Sequence, residues 1–221
     1  MRSTGLWGYP EEQKVKDKIK SYSDLDEISE DILKEIGNIG AGNAVASLSS
    51  MVGYTFEVAL PRVRIVSYRD VPELLGGAEI FETGIMLEIS GDLSGIFMFL
   101  LDEQFTGSML DVLIGKEERD LTKMDELSRS AICEIGNVVC CAYVNALAKL
   151  MGAKIHVSVP DICSDMAGAI LSVPMIHFAN LSEELLLIEN RFSTEQLSFT
   201  SHVLFLPEFK SLDRIFEVLG V

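Results

Sequence analysis

The tetrapeptide Glu-Ile-Gly-Asn occurs twice in this 221-residue chain, at Glu35–Asn38 and at Glu134–Asn137, 99 residues apart. On a helix, residues i and i+3 share a face with their Cβ atoms roughly 5–6 Å apart. Each copy would therefore present a carboxylate beside a carboxamide. Asp31 and Ser130 stand four residues upstream, one turn back on the same face, and Pro61 and Pro160 each follow their Asn after 22 intervening residues. Both halves thus read Asp/Ser-x-x-x-Glu-x-x-Asn, then a proline at a fixed distance. Taken singly, a helical Glu is a solvated residue, and a helical Asn costs only a few tenths of a kcal/mol against Ala, roughly. Repetition with a preserved distance to proline is what points to a shared role. Other reactive side chains form no such constellation. His156, His177 and His202 are scattered, and Cys133, Cys140, Cys141 and Cys163 show no Cys-x-x-Cys spacing, so no metal site is expected.

The elements that must carry these pairs follow from periodicity. Ile28, Ile32, Leu33, Ile36 and Ile39 recur at spacings of three and four, which predicts one apolar face of a helix from about Leu25 to Met51, stopped by Gly53. A strand over "TFEVALPRVRIV" follows, then two strands with a turn at Gly91-Asp92 and a short helix closed by Gly115. The same order begins again with a long helix ending at Gly152, a strand, a hairpin and a closing helix ending at Gly220. Shifted by 99 positions, residues 35–61 and 134–160 agree at nine of 27 places. This predicts an α/β (α+β) fold made of a duplicated half-domain with pseudo-twofold symmetry, its long helices packed on a mostly antiparallel sheet. Residues 1–24 read as a tail or marginal helix, and 25–221 as a single domain of two repeats, about 25–115 and 124–220. Gly37 and Gly136 lie inside helices, where Gly costs about 1 kcal/mol against Ala. Close approach of another element accounts for them, and for Gly40 and Gly42.

Composition excludes several functions. Eighteen basic residues stand against 34 acidic ones, a net charge of −16. That balance disfavours nucleic-acid binding and attachment to anionic membranes, both of which need a basic surface. The apolar runs have strand length, and no signal peptide is apparent. With four unpatterned cysteines, a cytoplasmic location is expected.

The repeated pattern, with "KEIGNIGAGNA" and "CEIGN" followed by "YVNALA" around it, resembles that of the CheC/CheX/FliY phosphatases of bacterial and archaeal chemotaxis. The resemblance covers roughly residues 28 to 221 and meets the motif twice, where CheX-like members carry it once. It implies an auxiliary phosphatase acting on phosphorylated CheY, with Glu35, Asn38, Glu134 and Asn137 catalytic and Asp31, Ser130, Pro61 and Pro160 in support. In that scheme the regulator holds the Mg²⁺ and a lysine at its acyl phosphate, and this chain needs no cofactor. Asn orients the attacking water, since a carboxamide both donates and accepts, and Glu pairs with the regulator's lysine. The resemblance also implies binding to the receptor deamidase CheD. The segment after Pro160, "DICSDMAGAILSVP", reads as a short helix that breaks the repeat, and Asp165 near its start is the candidate CheD contact. The competing expectation is a binding module that regulates CheD or docks at the flagellar switch with its Glu/Asn pairs idle.

Overall fold

A computed structural model describes residues 27–59, 61–115, 120–178, 184–193 and 198–219. The expected tail, the helix start at Leu25 and the stop at Gly220 lie outside the described residues. The order of elements is α1 (Glu27–Val52), β1 (Glu57–Val58), β2 (Arg62–Ser67), α2 (Val71–Leu74), β3 (Phe81–Gly91), β4 (Gly95–Asp102) and α3 (Glu103–Ile114). After a 3-10 turn at Leu121–Lys123 it runs through α4 (Glu126–Met151), β5 (Ile155–Val157), β6 (Asp161–Met166), α5 (Ala167–Phe178), β7 (Glu184–Ser193), β8 (Ser198–Pro207) and α6 (Phe209–Leu219). The second series repeats the first element for element.

The sheet has eight strands in the order β1-β7-β8-β4-β3-β5, with β2 also beside β7 and β6 also beside β3. All pairings are antiparallel. Under exchange of the halves this order reads the same backwards, which is the pseudo-twofold, passing between β4 and β8. The two halves are also interlaced. The strands that follow α1 pair with the hairpin of the second half, and those that follow α4 pair with the hairpin of the first. Pro61 and Pro160 fall at the breaks between β1 and β2 and between β5 and β6. A proline has no N–H to give to a ladder, so each interrupts its edge strand.

One face of the sheet carries the main core, under α1, α3, α4 and α6; the other carries a smaller apolar cluster of Tyr68, Val71, Leu75, Ile170 and Leu171 with strand residues such as Met98 and Leu204. Asp102 starts α3 by accepting from Phe105 N at 2.6 Å, and Asp125 starts α4 by accepting from Ser128 N at 2.9 Å. Gly115 and Gly152 end these helices at φ of 62° and 61°, where a side chain would be strained. α4 is long and apolar enough to span a membrane by length and composition, yet more than half of that stretch is buried inside the protein. Its apolarity is that of a core helix.

The inward stripe of α1 differs from the expected one. Leu33 and Ile36 are buried, but Ile28 and Ile39 are exposed, and Gly37, Gly40, Ala41 and Ala44 complete the stripe instead. Small residues replace large ones because α1 is pressed against α4. A Cβ on Gly40 would fall within the ring of Tyr143 of α4, whose hydroxyl donates to Asn190 Oδ1 of β7 at 2.8 Å. Gly42, by contrast, faces open space and is no packing residue. Gly40→Ala should therefore destabilise the protein by about 1–3 kcal/mol, while Gly42→Ala should be neutral or stabilising by up to about 1 kcal/mol. Urea unfolding midpoints of the two variants test this, and equal effects would contradict the packing described.

Candidate functional site

The Glu-Ile-Gly-Asn motif divides its residues between two sides of the helix. Ile36 and Ile135 are buried in the core. Gly37 faces β2, where an added Cβ would lie 2.6 Å from Val63 Cγ2, and Gly136 faces Ile85 of β3, where a Cβ would collide outright. With Ile and Gly turned to the sheet, Glu and Asn are turned away from it. Glu35 and Glu134 are exposed, and Asn38 and Asn137 are half-buried. Asp31 and Ser130, both exposed, lie one turn before them, and half-buried Pro61 and Pro160 stand in the strand segments that adjoin α1 and α4. Asp31, Glu35 and Asn38 thus share one face of α1, and Ser130, Glu134 and Asn137 one face of α4, and the interior glycine is what lets each helix sit flat on the sheet.

The two copies differ in detail. Asp31 forms an ion pair with Lys34 at 2.8 Å, whereas the corresponding pair in α4 is Ser130 and Cys133. Cys141 donates its thiol hydrogen to Asn137 Oδ1 at 3.4 Å. Burial, and then the charge of Glu134, push the Cys141 thiol up, so it remains a donor at neutral pH. The equivalent of Cys141 is Gly42. Asn137 is accordingly held by its own helix, while Glu35, Asn38 and Glu134 make no side-chain hydrogen bond or ion pair among the described residues. A cavity of about 280 Å³ between α1 and β2 is lined by Glu30, Leu33, Lys34, Val63, Arg64, Ile65 and Leu186 and includes neither Glu35 nor Asn38. Glu35 and Glu134 are exposed and Asn38 and Asn137 half-buried, so the pairs are open to a macromolecule. Among the described residues no cluster of three His, Cys, Asp or Glu side chains could hold a metal ion. Burial holds His202 down to about 4, so at neutral pH it is an uncharged residue of the sheet.

Asp165 is placed differently from the expectation. Residues 161–166 are the strand β6, not a helix start, and α5 begins only at Ala167. The segment alternates, with Ile162 and Ser164 half-buried between exposed Asp161, Cys163 and Asp165. That period of two, together with pairing to β3, outweighs its short apolar content. The repeat does not break here, because β2 and α2 occupy the same places in the first half. What differs is helix length, four residues in α2 against 12 in α5. α5 leaves Val173, Met175 and Ile176 exposed, and Met166 just before it is exposed too. Sequence reading passed over this face. Its signal is a helix apolar on every side, since a solvated helix normally carries polar residues opposite its core stripe.

Across the strands Asp165 lies opposite Glu82, which lies opposite Asp102. Glu82 is only 4% exposed; burial first, and Asp102 second, raise its pKa from 4.5 to about 7. An acid whose pKa is higher in the folded state stabilises the fold at low pH. Here that contribution is complete below about 4.5 and is lost as pH rises through about 7. Glu82→Gln, which imitates the protonated acid, should leave stability at pH 4 nearly unchanged and raise it at pH 8.5 by about 2 kcal/mol. Urea titrations at the two pH values read this directly; a Gln variant no more stable at pH 8.5 would contradict it.

Comparison with known proteins agrees with this arrangement. Residues 28–65 match the CheC-like family and residues 83–178 match the chemotaxis phosphatase CheX family, so each match contains one Glu-Ile-Gly-Asn. The chain is 28% identical over 203 residues to the CheY-P phosphatase CheC of Bacillus subtilis, covering 90% of this chain and 97% of that one. In structure it resembles Thermotoga maritima FliY, with a TM-score of 0.68 at 21% identity over 88% of this chain and 96% of the other. It also shares its fold with a chain of the FliG-FliM complex from H. pylori, with a TM-score of 0.64 at 11% identity over 86% of this chain and 99% of that one. The doubled motif and these matches point the same way: the first part of the chain is similar to the CheC-like family, the second to the chemotaxis phosphatase CheX family, and nearly the whole chain to a CheY-P phosphatase CheC.

Proposed function

We propose that this chain is a phosphatase of phosphorylated CheY, hydrolysing its aspartyl phosphate with two equivalent surface sites, Glu35/Asn38 on α1 and Glu134/Asn137 on α4. The observation that carries this reading is the paired carboxylate and carboxamide turned outward on both helices, with Glu35, Asn38 and Glu134 making no side-chain hydrogen bond or ion pair among the described residues. In the reaction water attacks phosphorus, the bond from phosphorus to the aspartyl oxygen breaks, and the products are inorganic phosphate and the free aspartate of CheY. Mg²⁺ bound by CheY supplies positive charge at the phosphoryl oxygens. This chain supplies position. Asn38 or Asn137 accepts a hydrogen bond from the water and keeps it in line for attack, the task that a glutamine performs in GTPases. Glu35 or Glu134 pairs with a lysine of CheY and fixes the helix over the acyl phosphate. The Cys141 contact takes up one of the two lone pairs of Asn137 Oδ1, leaving the other for the water, and narrows the rotamers of Asn137. Four free thiols fit a reducing compartment, and we place the protein in the cytoplasm.

Asn38→Ala and Asn137→Ala should each remove part of the acceleration of CheY-P decay. The double variant should fall to the intrinsic rate of CheY, a loss on the order of 10²-fold at each site. Phosphate release from CheY-P measured at several ratios of the two proteins is the test. A double variant as active as the original would reduce the repeated motif to architecture.

A second reading, binding of CheD, is favoured by the exposed apolar face of α5 beside Asp165. Solvent-facing Val173, Met175 and Ile176 form the kind of patch that a protein partner covers. Ile176→Glu, alone or with Asp165→Lys, should weaken CheD binding at least tenfold, about 1.4 kcal/mol or more, and spare dephosphorylation of CheY-P. Titration calorimetry with CheD and the phosphatase assay, run on the same variant, separate the two. Undiminished CheD affinity would end this reading.

A further inference from the structure

Ile28 and Leu127 occupy equivalent places in the two halves, 99 residues apart. They are 59% and 61% exposed, at the start of α1 and α4. Leu127 is not explained by its own helix. Leu127 is the second residue after the capping Asp125, so it is not one of the two positions that staple a helix start together, and the neighbouring Ser29 and Ser128 are the ones turned inward and buried. From Ile28 the steps to Asp31, Glu35 and Asn38 are three, four and three residues; from Leu127 to Ser130, Glu134 and Asn137 they are the same. That spacing follows one helix face. At 1.5 Å per residue, each aliphatic side chain stands about 10 Å before the Glu and about 15 Å before the Asn.

The duplication provides an internal control. Several exposed positions elsewhere on these helices differ between the halves, Glu30 corresponding to Arg129 and Ser50 to Lys149, although the exposed Glu27 and Glu126 agree. On the site face Ile28 matches Leu127, Glu35 matches Glu134 and Asn38 matches Asn137 in type, while Asp31 is exchanged for Ser130. A large aliphatic group held twice at an exposed position, in line with the reacting pair, is the behaviour of a contact residue and not of a drifting surface.

We infer that Ile28 and Leu127 are positioning residues that seat the phosphoprotein substrate, each filling an apolar patch about 10 Å from the cationic group that meets Glu35 or Glu134. The inference rests on the phosphatase reading above. Charge alone would serve poorly as the anchor, because Glu35 and Glu134 give each face the sign of the phosphoryl group itself. An apolar contact adds affinity without repelling the phosphate, and its distance from the pair sets the register of the helix over the acyl phosphate.

The test uses the whole chain with Ile28→Ser and Leu127→Ser combined, and a conservative partner carrying Ile28→Leu and Leu127→Ile. Two readouts are taken: the CheY-P concentration for half-maximal rate, and direct titration with beryllofluoride-activated CheY. The Ser pair should raise both constants about tenfold or more, with the larger part of the effect in KM and the smaller in kcat, and the conservative pair should restore them. Unchanged constants in a Ser pair with an unaltered circular dichroism spectrum would overturn the inference while leaving the phosphatase reading intact. A change confined to the sedimentation coefficient would overturn it as well, assigning the two residues to contact with a second copy. If the unmodified chain neither accelerates decay nor binds activated CheY, the phosphatase reading itself falls, and this inference with it.

Discussion

The close approach of α1 and α4 at Gly40 is the constraint on which the rest of the structure depends. Tyr143 lies where a side chain on residue 40 would be, and its hydroxyl reaches through to Asn190 on β7. One aromatic residue thereby joins both long helices to the sheet. The symmetry-related residues are Val139 and Ala44, both fully buried. A glycine and a tyrosine on one side of the axis correspond to a valine and an alanine on the other. Close packing tolerates such exchanges so long as total volume is kept. The halves could therefore diverge in sequence while their helices kept a common relation to the sheet, and with it a common outward face.

That outward face is a consequence of the inward one. In each Glu-Ile-Gly-Asn the isoleucine and glycine are consumed by packing on β2 and β3, which leaves glutamate and asparagine on the opposite side. The motif is short because both tasks are written within one turn of helix. The interlaced sheet then holds the two copies in a single body, since each half's edge strands belong to the other half's hairpin. A pair of exposed glutamates, each beside a half-buried asparagine, suits a substrate that brings its own metal and reactive group. What the chain contributes is a rigid helix with two polar side chains at fixed spacing.

Much of this was legible in the residues. The repeat appeared as a 99-residue offset, and the glycine stops at Gly115 and Gly152 were read as helix ends because no other residue adopts that conformation as cheaply. Two misreadings have physical causes. Ile28 and Ile39 were assigned to the core of α1 because spacing by three and four does not distinguish an inward aliphatic residue from an outward one. The actual stripe uses Gly and Ala, which carry little hydrophobic signal but permit helix contact. Residues 161–166 were read as a helix start because the apolar run "AGAILSVP" behind them is helical. The alternation that makes them a strand becomes decisive only once β3 is there to pair with them. The exposed face of α5 was invisible for the complementary reason, that a helix apolar on all sides reads as wholly buried until the fold shows one side uncovered.

The central claim is that the two asparagines themselves meet the substrate. The direct measurement is the NMR signal of the Asn38 and Asn137 side-chain carboxamides in ¹⁵N-labelled protein as beryllofluoride-activated CheY is added, with assignments from the single Ala variants. The account predicts that both carboxamide signals shift or broaden in step with complex formation, ahead of amides on the far face of the sheet. Carboxamide signals that remain in place while the complex forms elsewhere on the surface would contradict it.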